Sequence, residues 1–238
     1  LNLNGASIGT QGEGDIDLLV GKINVTTTSD NAGGATLESL STGGTELASA
    51  STTGALSLTV NEGDLFVTGD AKVGGLILNL GAAITPVNTR NIVQTDGTTI
   101  ESLGAATLVA TGDIKLSQLS VLIGDATLNA HGRILDMNSA VDATTGKEVA
   151  NIIMGTGALT AEALSIGTDA TDGDIDLDVS NIASLVATDA TSGQHITVTS
   201  YSSATLTELD AGGKATFVQM GGDLTLDGTS RVETLEMT

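Results

Sequence analysis

A dense group of aspartates contains the side chains best suited to chemistry in this sequence. Five carboxylates fall within ten residues: Asp169, Asp172, Asp174, Asp176 and Asp178. Alternate residues of a β-strand share a face, so Asp174, Asp176 and Asp178 should point the same way, about 7 Å apart. Oxygen ligands of this kind suit Ca²⁺. The sequence therefore predicts Asp172, Asp174, Asp176 and Asp178 as candidate calcium ligands, and it predicts no other metal or cofactor.

The same aspartates also suit a purely electrostatic role. Their spacing departs from the EF-hand loop, because the sixth residue counted from Asp172 is Leu177 and the twelfth is Ala183. A row of solvated carboxylates along a sheet discourages lateral aggregation. An acidic wall that keeps the surface soluble is therefore the competing interpretation.

No set of catalytic residues stands out from the sequence. Glycoside hydrolysis needs a pair of carboxylates around the scissile bond. Carboxylates are plentiful here, but the aromatic residues that would line a sugar cleft amount to one Tyr and two Phe. The histidines, His131 and His195, lie far apart in the sequence and have no local ligand partners. The sequence therefore predicts no catalytic and no cofactor-binding residue, and it favours a protein that is not an enzyme.

The net charge of the chain limits the kinds of partner that it is expected to bind. Its 29 acidic and 8 basic residues give a formal net charge of −21. Such a charge disfavours nucleic acid, whose phosphates need Lys and Arg, and it disfavours docking on an anionic membrane surface. The apolar stretches are too short to span a bilayer. We therefore expect no nucleic-acid partner and no membrane insertion.

Short alternating stretches edged by glycine recur throughout the chain. Apolar and polar residues alternate in six of them: 14–18, 54–60, 63–67, 112–116, 173–179 and 222–226. A period of two residues with glycine at the edges predicts β-strands. A second recurring pattern, Ala-Thr followed by an apolar residue, is often spaced by one or two multiples of roughly 20 residues, as in repeat architectures.

A longer segment occurs twice. Ile8-Gly9-Thr10 precedes Gly14-Asp15-Ile16-Asp17-Leu18, and Ile166-Gly167-Thr168 precedes Gly173-Asp174-Ile175-Asp176-Leu177. The offset is 158 residues for the first triplet and 159 for the rest, so one residue is inserted between them. This offset corresponds to about eight turns of a repeat of roughly 20 residues.

Many short strands with one apolar face need a partner for every edge, and stacked turns supply it. The rest of each turn then provides the crossover that parallel pairing requires, normally right-handed. The sequence predicts an all-β fold, a right-handed parallel β-helix (solenoid) of about twelve turns.

Residues 1–238 are predicted to be one segment of a longer repetitive chain. The segments 82–99, which contains Pro86, and 141–150 are predicted to be extruded loops.

The core of this solenoid is predicted to be small and aliphatic. Aromatic residues make up only 1% of the chain. Phe66, Phe217 and Met137 are expected in the core, and Tyr201 at a turn or wall with its hydroxyl in water. The main competing fold is an antiparallel β-sandwich, which normally carries a large core aromatic, whereas this chain has no Trp.

One stretch resembles a known family. Gly132-Arg133-Ile134-Leu135-Asp136-Met137-Asn138 is similar to the Gly-x-Ile-x-Asp-x-Asn turn of filamentous-haemagglutinin-like large bacterial exoproteins. Residues 132–198 resemble their haemagglutinin-type β-helix repeats best, residues 1–25 repeat the second half of that part, and residues 82–100 match poorly. Such degenerate strand and turn motifs specify architecture better than function.

The resemblance implies a structural or adhesive rod segment of a secreted or cell-surface bacterial protein. Such a segment would act outside the cell in adhesion, biofilm or cell-surface contact. Its partners would be flanking repeats of the same chain or identical subunits end to end, together with glycans or proteins of a host or neighbouring cell. A self-assembling extracellular filament or matrix subunit is the first alternative, and a β-helical polysaccharide-cleaving enzyme is the second.

Overall fold

The computed structural model describes residues 1–9, 14–28, 33–80, 89–144, 146–168, 173–188 and 195–238. Within these ranges all regular secondary structure is β-strand, as the sequence predicts. The strands in chain order are β1 (Asn2–Gly5), β2 (Ile16–Leu18), β3 (Lys22–Thr27), β4 (Ala35–Ser39), β5 (Thr45–Ser51), β6 (Ala55–Val60), β7 (Leu65–Val67), β8 (Ala71–Val73), β9 (Gly75–Asn79), β10 (Ile92–Gln94), β11 (Thr99–Ser102), β12 (Ala106–Ala110), β13 (Ile114–Leu116), β14 (Gln118–Val121), β15 (Ala126–Ala130), β16 (Arg133–Asp136), β17 (Ile152–Met154), β18 (Leu159–Ala163), β19 (Ser165–Ile166), β20 (Ile175–Asp178), β21 (Asn181–Ala187), β22 (Ile196–Ser200), β23 (Ala204–Ala211), β24 (Lys214–Gln219), β25 (Leu224–Arg231) and β26 (Thr234–Met237).

One sheet contains a single strand from each turn of the chain. Its order is β2-β4-β6-β9-β12-β15-β18-β21-β23-β25, and neighbouring strands run parallel. The recurring Ala-Thr pattern stacks on itself, since Ala106 pairs with Ala126 and Thr107 with Thr127. Parallel strands stacked one turn apart make a β-solenoid, which confirms the predicted fold class.

The number of turns is smaller than predicted. The ten strands of this sheet correspond to about ten turns, not twelve. Some turns are longer than the 20 residues that separate Ala106 from Ala126. Leu119, for example, pairs with Ile152, which lies 33 residues further along the chain. Insertions of this kind use chain length without adding turns.

The second sheet changes its composition along the stack. At the two ends each turn contributes one strand to it, namely β1, β3 and β5 at one end and β22, β24 and β26 at the other. In the middle each turn contributes two successive strands, from β7 and β8 to β19 and β20. The transition is visible in β5, where Thr45 pairs with β7 and Ala50 with β8. The solenoid thus has two strands per turn at its ends and three in its middle.

The core lies between the two sheets and is aliphatic, as predicted. In β6, Leu56, Leu58 and Val60 are fully buried, while the residues between them are partly exposed. Phe217 is buried as expected. The prediction that Phe66 and Met137 fill the core is wrong, because each is 38% exposed. Phe66 alternates outward between two buried residues of β7, and Met137 follows the end of β16.

The predicted loop at 82–99 extends too far. Residues 81–88, including Pro86, lie outside the described residues. From Ile92 the chain belongs to the solenoid, because β10 pairs in parallel with β7 and β13, and β11 begins at Thr99. The prediction is therefore wrong from residue 92 onward. A strand of three residues is too short for its alternation to be recognised in the sequence.

The first copy of the repeated segment forms a loop that leaves one ladder and returns to it. Ile8 pairs with Ala35 through an isolated parallel bridge. Ile16 pairs with Leu37, only two positions further along the neighbouring strand. The described residues between Ile8 and Ile16 therefore lie outside the ladder, and residues 10–13 lie outside the described part of the chain.

The second copy forms the same loop in the other sheet. Ile166 pairs with Ile196, and Ile175 pairs with Val198, again two positions further along. The Thr168 amide closes the loop by donating to the Gly173 carbonyl at 2.7 Å. The repeat that is visible in the sequence thus corresponds to a repeated pattern of strand pairing.

Candidate functional site

A hairpin folds out of the solenoid between β16 and β17. It comprises residues 139–150, of which residue 145 is not described. Val141 and Glu148 form an antiparallel bridge within it. The segment predicted as a loop at 141–150 therefore leaves the parallel ladders and folds back on itself.

The base of the hairpin is fixed to the body of the solenoid. The Ser139 amide donates to Asp96 Oδ1 at 3.0 Å, and the Ser139 hydroxyl donates to Asp96 Oδ2 at 2.5 Å. These hydrogen bonds lower the pKa of Asp96, because they stabilise its ionised form. Asn138 Nδ2 donates to the Val149 carbonyl at 2.7 Å and closes the base.

The tip of the hairpin lies beside β22 and β24. Lys147 Nζ is 5.7 Å from the centroid of the Tyr201 ring, and it donates to the Met220 carbonyl oxygen at 3.5 Å. A cleft of about 420 Å³ separates the hairpin from the sheet, and Glu148, Asp174 and Tyr201 help to line it. An adjoining cleft of about 290 Å³ shares Glu148 and Tyr201 with the first.

Asp176 lies beneath the hairpin and is only 2% exposed. Its backbone amide donates to Asn151 Oδ1 at 2.9 Å. Burial, followed by repulsion from Asp174 and Glu148, raises the pKa of Asp176 to about 8, although a hydrogen bond with Tyr201 opposes this shift. Its Oδ1 is buried and accepts no hydrogen bond from the part of the chain that the structure describes. The Asp176 carboxyl is therefore harder to ionise than an ordinary aspartate.

Neighbouring polar groups complete the cleft. Tyr201 directly follows β22, at a turn as predicted. Its hydroxyl interacts with Asp176, a buried partner that the sequence did not predict, and burial together with this partner raises the pKa of Tyr201. The Thr199 hydroxyl donates to the Asp174 carboxylate. Burial likewise raises the pKa of Asp136, which accepts a hydrogen bond from Asn151 at 2.5 Å.

The residues predicted as calcium ligands lie in different environments in the structure. Asp172 lies outside the described residues. Asp174 lines the larger cleft, Asp176 lies buried beside it, and Asp178 is exposed and lines the adjoining cleft. Glu148 joins them only because the hairpin folds back, and the sequence analysis gave it no site role. The available signal was the adjacent pair Lys147 and Glu148 in a predicted loop.

The first copy of the repeat gathers carboxylates in a more open position. Oxygen atoms of Asp15, Asp17 and Glu38 lie within 4.8 Å of one another, and Asp17 faces Glu38 across the ladder. Partial burial and a hydrogen bond with Asp15 raise the pKa of Glu38. Sequence reasoning missed this group because Glu38 comes from the next turn. Within the described ranges it is the one set of three potential metal ligands at this spacing.

No family model, curated protein or solved structure matches this chain. The described residues contain no helix with the length and hydropathy needed to cross a membrane.

Proposed function

We propose that the chain is a structural and adhesive rod segment of a secreted or cell-surface bacterial protein, in keeping with its resemblance to filamentous-haemagglutinin-like exoproteins. The observation that supports this best is the continuous parallel stack from β2 to β25. At a strand spacing of about 4.8 Å, ten turns make a rod about 5 nm long. Such a rod provides stiffness and reach, and segments that leave it, such as the hairpin, are suited to recognition.

The walls of the rod suit a solvated environment. Ion pairs join adjacent turns on the surface, as between Lys22 and Glu46 and between Lys72 and Glu101, each at 2.6 Å. Exposed pairs of this kind contribute little to stability. Cohesion therefore comes from the buried aliphatic ladders, while the net charge of −21 keeps neighbouring rods apart.

The last turn suggests partners for the ends of the rod. Leu226 and Met237 are 40% and 50% exposed, whereas Leu206 and Phe217, with which they pair, are buried. Flanking repeats of the same chain, or an identical subunit placed end to end, would cover these apolar side chains. The second arrangement is the filament-subunit alternative.

Negative-stain electron microscopy of the purified chain distinguishes these arrangements. Separate thin rods about 5 nm long are expected for a spacer segment, at the spacing of stacked strands. End-to-end fibres would instead favour a filament subunit. Compact globules would contradict the rod proposal.

Adhesion is tested with beads that carry the chain. We expect the beads to bind surface glycans or proteins of cells, and a variant in which a short Gly-Ser linker replaces residues 139–150 should bind less if the hairpin is the recognition element. Failure of both proteins to bind would leave a spacer role and contradict the adhesive one.

We also propose that the chain is not an enzyme, and the hairpin cleft is the place where this proposal is tested most directly. There Asp176, whose pKa is about 8, lies close to Glu148, and a protonated carboxyl beside a second carboxyl can act as a general acid. We expect no release of reducing ends from a panel of bacterial and plant polysaccharides. Turnover by the unmodified chain that is lost in Asp176→Asn would establish the enzyme alternative instead.

A further inference from the structure

We propose that the hairpin cleft is a divalent-cation site in which Asp176 and Glu148 supply the carboxylate ligands. Asp174 lies next to them and adds negative charge. The proposal concerns this site alone and holds whether or not the chain is a rod segment.

The first argument is the unsatisfied oxygen of Asp176. The residue is 2% exposed, and its Oδ1 has no hydrogen-bond partner in the described residues. A buried polar atom without a partner is costly, and native proteins rarely leave one unsatisfied. Asp176 lies on the same side of its strand as Asp174 and Asp178, each of which lines one of the two clefts. Its carboxyl contacts Tyr201 and Glu148, and both of these residues line the two clefts.

The second argument is the balance of charge. Asp174 and Glu148 line the larger cleft, and the buried Asp176 carboxyl is repelled by both. Among the described residues that line this cleft, Lys147 is the one that is basic. The Lys147 ammonium lies over the Tyr201 ring and donates to a backbone carbonyl. An added cation would relieve the repulsion among the neighbouring carboxylates.

The third argument is the type of ligand available. Carboxylates with hydroxyl oxygens and water are the ligands of Ca²⁺ and Mg²⁺. Thr199 and Tyr201 line the same cleft, whose volume of about 420 Å³ also accommodates water. Two carboxylates are few for a tight site, so we expect a dissociation constant on the order of 10⁻⁴ to 10⁻³ M.

The first copy of the repeat provides a comparison within the molecule. There the equivalent aspartates, Asp15 and Asp17, also meet a glutamate from another segment, Glu38. In the second copy Asp174, Asp176 and Glu148 do not all lie within the same 4.8 Å of one another. We therefore assign direct ligation to Asp176 and Glu148, and we give Asp174 the role of a positioning charge.

Tyr201 makes the site directly observable. It is the only tyrosine of a chain without tryptophan. Terbium(III) replaces Ca²⁺ at oxygen sites and emits when energy is transferred from a tyrosine close by. Excitation of Tyr201 in the full chain should therefore give terbium emission from the hairpin cleft and not from the distant first copy. We expect saturable emission that Ca²⁺ suppresses by competition.

Two variants locate the ligands. Asp176→Asn should weaken terbium and Ca²⁺ binding at least ten-fold, and Glu148→Gln should do the same without altering the solenoid core. The matched control is Asp17→Asn, the same change at the equivalent position of the first copy, which should leave the Tyr201-sensitised emission unchanged.

Calorimetric titration with Ca²⁺ provides a second measurement that does not depend on the lanthanide. The unmodified chain should show a saturable heat of binding in the millimolar range, and this heat should be lost or weakened at least ten-fold in Asp176→Asn and in Glu148→Gln. Absence of sensitised emission, or emission equal in Asp176→Asn, Glu148→Gln and the unmodified chain, would overturn the proposal. Calcium binding that is lost only in Asp17→Asn would place the ion at the first copy and overturn it equally.

Discussion

The two copies of the repeated segment leave and rejoin a ladder at equivalent positions, and they differ in what covers the strand that follows. Asp17 in the first copy is exposed, whereas Asp176, its equivalent, is 2% exposed beneath the hairpin. Burial and neighbouring carboxylates raise the pKa of Asp176 to about 8. In the first copy the raised pKa belongs to Glu38 on the next turn. The repeat thus determines where the chain leaves and rejoins a ladder, while the hairpin between β16 and β17 determines the electrostatics of the second copy's aspartates.

The largest effect is expected in the core beneath the loops. Leu177 and Leu18 are equivalent and both are buried. Leu177→Ala should lower the free energy of unfolding by about 2–5 kcal/mol, as for other buried leucines. Leu18→Ala should cost less, because β2 is the first strand of its sheet and has a neighbour on one side only. Denaturant unfolding measures both values, and equal losses would show that the first turn is as firmly packed as the middle.

A smaller loss of stability, of similar size in the two copies, is expected when the loop glycines are replaced. Gly9 and Gly167 have φ values of 66° and 71°, and a Cβ atom on either would lie 2.3 Å from the carbonyl oxygen of Thr36 or Thr197, respectively. Alanine at each position should cost at least about 1–2 kcal/mol, the penalty of the left-handed region, in addition to the steric clash.

The loss should be similar in the two copies, because the two glycines have nearly the same φ and the same close approach to a carbonyl oxygen. Gly21→Ala is the control, since a Cβ atom there meets nothing within 4 Å. Thermal unfolding of the three variants measures the effect. A loss in only one copy would mean that the two loops are not equivalent.

The pH dependence of stability should also separate the two copies. The pKa of Asp176 is raised from 3.8 to about 8 in the folded chain. Its contribution to stability is therefore complete below pH 4 and is lost as the pH rises through 8. Between these values the folded chain binds up to one proton more than the unfolded chain.

Asp176→Asn should remove this part of the pH dependence and leave the variant relatively more stable at pH 8. Asp17→Asn should not. Unfolding midpoints from pH 4 to pH 9 measure the difference, and parallel curves for Asp176→Asn and the unmodified chain would contradict the assigned shift.

The stacked strands could be predicted because the residue pattern that specifies each strand lies within a few consecutive residues. Alternation and edge glycines within five to seven residues were sufficient to indicate stacked strands, and the repeat at Ile8 and Ile166 marked two equivalent loops. The division of the second sheet into two strands per turn was not predicted, since β7 and β8 have only three residues each. Strands of this length carry too little pattern to distinguish a bend from a continuous strand.

The candidate site was predicted only in part for a different reason. Asp174 and Asp176 were identified because they lie on one strand. Glu148 and Tyr201 approach them through the fold of the hairpin and through the stacking of the next turn. Contacts of this kind depend on tertiary structure, which alternation along the chain does not encode.

The 33-residue turn between Leu119 and Ile152 also bears on how the chain folds. In a stacked solenoid each turn contacts only its neighbours, so order spreads from an initial nucleus by adding one turn at a time. Closing 33 residues instead of 20 costs only about 0.4 kcal/mol more in chain entropy. The free-energy cost is small, but the addition of the next turn should be slower at this position, because a longer stretch of chain must reach its pairing register. We expect the hairpin to divide the molecule into two cooperative units that form and dissolve separately.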